Sequence, residues 1–111
     1  MARDIKESDW KVFRKVRTIA LERFCQRVLD EVGKIAAQRD RSSHERYLEV
    51  FKLIETRDED LGEVFNNPRR SAAIVQLARM RFYKLLDEEE LAPFSRETRA
   101  SVQRAIEIWE S

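Results

Sequence analysis

Only two glycines and two prolines are spread over the 111 residues, and nowhere do apolar and polar residues alternate long enough to make a half-buried strand. Tight hairpins lean on glycine and on left-handed backbone, so a chain with this vocabulary has helices as its available structure. Charged residues supply 39% of the sequence and apolar residues 42%, a pairing that suits long helices with one face toward a core and the other toward water. The expected fold is all-α, a compact irregular bundle of four or five helices forming one domain over residues 1–111.

Start and stop signals divide the chain. Ser8 reads as an N-cap with Asp9 in the first turn, opening a helix to about Gln38 whose inner face carries Trp10, Phe13, Leu21, Phe24, Val28, Val32 and Ile35. After the connector Arg39-Asp40-Arg41, Ser42 and Glu45 form a capping box for a second helix to Phe65. Its stripe of Tyr47, Phe51, Ile54, Leu61 and Phe65 keeps phase through Asp58, with a break near Thr56-Arg57 as the competing reading. Asn67 as N-cap and Pro68 as first helical residue predict a third helix ending near Leu86. Residues 87–91 read as a helical turn before Pro93, and Ser95 caps a last helix carrying Val102, Ala105, Ile106 and Trp109.

With 22 basic and 21 acidic side chains the net charge is +1, so no overall field draws in nucleic acid or an anionic membrane. No apolar run approaches the roughly 20 residues of a membrane span, and the first residues lack the apolar core of a secretory signal. The single cysteine, Cys25, cannot form an internal disulfide, and the expected location is cytoplasmic.

Three charges break the packing pattern: Asp58 within the second helix's stripe, and Arg70 and Arg81 flanking Ile74, Leu77, Ala78 and Leu85. A charge in a low-dielectric interior demands a partner, which predicts an Asp58–Arg70 ion pair between helices, with Arg81 turned to an acid such as Glu22 or left to a ligand. The functional alternative is that Arg69, Arg70 and Arg81 clamp a small anion, helped by free amides at the Pro68 helix start. A helix-turn-helix reading would instead set Arg69, Arg70, Arg79 and Arg81 against nucleic acid, although these arginines do not share one face.

No glycine-rich phosphate loop, paired-cysteine zinc pattern or nucleophile elbow is present in the sequence. His44 reads as a solvated first-turn residue, Cys25 as a small packing residue, and the acidic run at 87–90 as a solvated helix start; no catalytic residue, metal or cofactor is assigned. Val12, Val16 and Ile19 give the first helix a second apolar side, to be covered by another helix of this chain or by a second copy. The sequence therefore reads as a non-catalytic protein-interaction module whose partner is another protein or, through Val12, Val16 and Ile19, a second copy of the chain. A small regulatory nucleic-acid binder is the first alternative and a binder of a small anionic ligand the second.

Overall fold

The computed structural model describes residues 5–111; residues 1–4, part of the stretch read above for a targeting signal, lie outside the described residues. Among the described residues there are helices and no strand: α1 (Glu7–Ala36), α2 (Ser43–Phe65), a 3-10 turn (Arg70–Ala72), α3 (Ala73–Phe82), α4 (Glu88–Leu91) and α5 (Arg96–Glu110). The capping box forms as expected, with the Glu45 amide donating to Ser42 Oγ at 3.0 Å and the Ser42 amide to Glu45 Oε1 at 3.3 Å. From there α2 runs unbroken through Asp58. Ser95 caps α5 by accepting from the Thr98 amide.

Three expected boundaries move. Helix α1 starts at Glu7, with Lys6 rather than Ser8 as the cap residue, and the first helical bond runs from the Trp10 amide to Lys6 O at 2.9 Å. The Asn67-Pro68 start is also corrected. Asn67 takes a left-handed φ of 51°, which asparagine tolerates better than most residues, and Arg69 is extended at φ −152° and ψ 159°. These residues reverse the chain instead of opening a helix, and Gln76 Nε2 holds the reversal by donating to Asn66 O at 2.8 Å. Helix α3 consequently begins at Ala73. It stops at Phe82, short of Leu86, because Lys84 enters the left-handed region at φ 60°. The Leu85 amide then bonds Met80 O and the Lys84 amide bonds Arg81 O, the paired closure that usually calls for glycine.

Contacts in opposite chain sense make α1 and α2 an antiparallel hairpin: Arg46 reaches Ala36 O near the turn, Arg57 meets Glu31 midway, and Arg17 reaches Phe65 O at the far end. The core lies at that far end. There Phe13, Ala20 and Phe24 of α1 and Phe65 of α2 join one buried cluster with Leu77 of α3 and Val102 and Ile106 of α5, and α3 packs on α5. Of α2, only Val64 and Phe65 are buried. The rest of α2 and the last turns of α1 project as an arm, which draws the molecule out to 52 × 24 × 24 Å. Its radius of gyration, 16.8 Å, exceeds the about 13 Å of a spherical domain of this length.

Candidate functional site

Arginine was the residue type that most suggested a ligand, and the fold spends it on its own main chain. A helix leaves its last carbonyls unsatisfied, and guanidinium groups from neighbouring elements close them here. Arg17 Nη2 donates to Phe65 O at 2.7 Å with its charge 5.8 Å from the Phe65 ring centroid. Arg27 reaches Tyr83 O and Lys84 O, and Arg23 joins Leu85 O (2.9 Å) to the Glu90 carboxylate (2.6 Å).

The proposed ligand arginines are engaged in the same way. Arg70 donates to Ile5 O at 3.1 and 3.3 Å and pairs with Glu7 at 3.0 Å, while Arg79 holds both the carbonyl and the carboxylate of Glu63. Arg81 donates to Leu86 O at 2.8 Å and lies 3.8 Å from Glu88, not near Glu22. Arg70 and Arg81 thus stand at opposite ends of α3, and Arg69 is exposed beside the 3-10 turn without a partner among the described residues. An open depression of about 550 Å³ beside Arg81 is lined also by Glu88 and Glu110, whose charges oppose an anion. The expected Asp58–Arg70 ion pair does not form: Asp58 is exposed on the arm, whereas Arg70 is held at the start of α1.

The buried charge that does exist is Asp9, only 2% exposed. Its carboxylate accepts from the Ser95 amide (2.8 Å), Ser95 Oγ (2.6 Å) and Thr98 Oγ1 (2.7 Å), locking the start of α5 onto α1. Burial raises the pKa of this group, but the Ser95 and Thr98 hydroxyls, the Ser95 amide and the Lys6 charge together hold it below the usual carboxylate value. The depression beside it, lined by Ser95, Arg96, Thr98 and Arg104, therefore has its helix N-terminus already filled by an anion of the chain itself. Nothing within the first helix signals this role, since a first-turn aspartate is ordinary; its partner lies 86 residues away.

What remains uncovered is apolar. Along one side of the arm, Leu29 of α1 and Tyr47, Phe51 and Ile54 of α2 are 61, 66, 53 and 44% exposed. Between the helices on that side runs a groove of about 230 Å³, with Phe24, Val28 and Leu61 beneath and Cys25, Leu29, Ile54 and Asp58 along its lips. Arg57 also lines the groove, bound to Glu31 through two bonds of 3.0 and 3.1 Å and 3.6 Å from Asp60. The Arg57 hydrogen bonds hold Glu31 below its ordinary pKa and, reciprocally, raise that of Arg57. Gly33, exposed on the same helix, has nothing within 4 Å of where a Cβ would stand.

The other side of α1 is covered in part inside the chain: Val16 is buried and Val12 packs against the core, while Ile19 is exposed. His44 is exposed at the start of α2, and among the described residues no group of histidine, cysteine and carboxylate side chains converges as a metal site would. No described helix is long and apolar enough to cross a membrane. Compared with protein-family models, with curated proteins and with solved structures, the chain matches none.

Proposed function

We propose that this chain is a non-catalytic helical protein-interaction module that docks partners on the apolar side of its projecting arm. The observation that carries this reading is the exposure of Leu29 and Ile54 at the groove, together with that of Tyr47 and Phe51 further along the same stripe of α2. Single exposed apolar residues are ordinary, but a contiguous set on an otherwise highly charged chain marks a surface that is covered in use. Of the arginines first considered for nucleic acid or a small anion, Arg70, Arg79 and Arg81 are already bonded to carbonyls and carboxylates and only Arg69 stands free among the described residues, which favours the protein-partner reading over both alternatives. The reading also fits a reducing, cytoplasmic setting, where the lone thiol of Cys25 at the groove lip stays free.

Homodimerisation is the form of this function in which the partner is a second copy, and one experiment addresses both forms. A photo-crosslinking residue in place of Phe51 is expected to give a discrete product in cells, either a dimer of the chain or a conjugate with a second protein. The same residue in place of Gln103, exposed on α5, is expected to give none. Failure of the position 51 probe to yield any discrete product overturns the reading.

A further inference from the structure

The depression beside the start of α5 has a lining that selects by charge. Three cations line it, Lys6 at the α1 cap and Arg96 and Arg104 of α5, against one carboxylate, Glu97, and all four are exposed. Among the described residues, Lys6 and Arg96 take part in no ion pair or side-chain hydrogen bond, and Arg104 makes one, from Nη2 to Ser101 Oγ at 3.1 Å. Elsewhere the chain answers such charges itself: Arg57 and Arg81, which line other depressions, meet Glu31 and Asp60 in one case and Glu88 in the other. Asp9 offsets part of the positive charge, but it is buried and does not line the depression. Cations gathered without acids around a concave surface raise the local concentration of anions.

The rest of the lining is different in kind, since Ile5, Ile74 and Ala100 give it apolar surface. At about 540 Å³ the depression falls in the size range of small-molecule sites, which combine apolar walls with a few polar groups that fix orientation. We propose that it binds a small organic anion, with an apolar body against Ile5, Ile74 and Ala100 and a carboxylate-type head among Lys6, Arg96 and Arg104. A guanidinium suits that head because its donors lie in one plane and match two oxygens at once, and Ser101, which accepts from Arg104, keeps its own hydroxyl hydrogen to give. The α5 dipole is not what holds the head, because Asp9 already occupies that helix N-terminus. The site shares no residue with the arm groove or with the Arg69, Arg70 and Arg81 set, so it stands or falls independently of the interaction-module reading.

The test follows backbone amide shifts of the isotope-labelled full chain during titration with three probes: octanoate, octanamide, which keeps the chain and loses the charge, and inorganic phosphate, which keeps charge and has no chain. Octanoate is expected to shift the amides of Ile74, Ala100, Ser101 and Arg104 saturably, and to bind at least about tenfold more tightly than either other probe. The double variant Arg96→Gln with Arg104→Gln is expected to weaken octanoate about tenfold, and Ala100→Glu to abolish its saturable binding, while the helical far-ultraviolet spectrum is unchanged. If octanoate and octanamide bind alike, the depression is merely apolar and the anion is overturned. Phosphate binding as tightly as octanoate would overturn the apolar body. Absence of any saturable shift, shifts confined to the arm groove, or octanoate binding that both variants retain would overturn the site itself.

Discussion

Phe65 and Phe51 stand on the same stripe of the same helix, yet Phe65 is 1% exposed and Phe51 53%. The difference lies in what reaches them. At the body end, α1 turns Phe24 edge-on to Phe65 at 6.0 Å, and Arg17 lies over the ring and seals its carbonyl. Over the arm no third helix arrives, because α3 is ten residues long and pairs with α5 instead. Amphipathic periodicity therefore specifies a face to be covered without specifying who covers it. One end of this stripe is a core and the other a surface awaiting contact.

The comparison breaks if the two phenylalanines matter equally. Phe65→Ala is expected to cost about 4 kcal/mol in urea unfolding, through lost burial and the cavity left behind, whereas Phe51→Ala should cost less than about 1 kcal/mol. A loss of several kcal/mol at Phe51 would mean that the arm is covered within the chain.

The charges give the next largest contrast. Asp9→Ala removes three bonds to a buried carboxylate and strands the start of α5, for an expected loss of about 3 kcal/mol. Asp58→Ala, exposed on the arm, should shift stability by less than about 0.5 kcal/mol. Acid sharpens the point. Asp9 titrates below its ordinary 3.8 in the folded chain, so its contribution is complete above that pH and fades as the pH falls through the lower native value. Asp9→Asn should flatten that part of the acid-side loss while lowering stability at neutral pH, as pH-dependent urea midpoints would show.

The smallest effects are gains. Lys84→Gly should stabilise the body by about 1 kcal/mol, since glycine adopts the left-handed backbone after α3 without the steric cost of a Cβ. Gly33→Ala should stabilise the arm by about 0.5–1 kcal/mol, because its Cβ meets open space in a helix interior. Thermal midpoints of the two variants measure body and arm separately if the arm frays first. A single shared transition in both would show that they melt together.

The all-α fold, the Ser42 capping box, the Ser95 cap and the continuity of α2 were legible because each is written within a few neighbouring residues. Asn67-Pro68 misled for the same reason: a strong local start signal gave way to a chain reversal that packing around Gln76 demands. Asp9 and the carbonyl-binding arginines were invisible, since a main-chain acceptor leaves no mark in sequence and their partners lie tens of residues away. The groove was half legible. Its α2 wall appeared as a stripe, but Leu29 belonged to no predicted face, and the exposure of either wall depended on where α3 ended.

Arginines that finish helices from a distance carry a further meaning for how the chain assembles. The end of α2 is completed by Arg17, 48 residues earlier, and the end of α3 by Arg27, 56 and 57 residues earlier. These helix ends are thus held by tertiary docking as well as by local closures such as the one at Lys84. A fragment containing α3 and α5 without α1 would have frayed, indefinite ends, and the body is expected to form all at once, acquiring its helix boundaries and its packing in the same step.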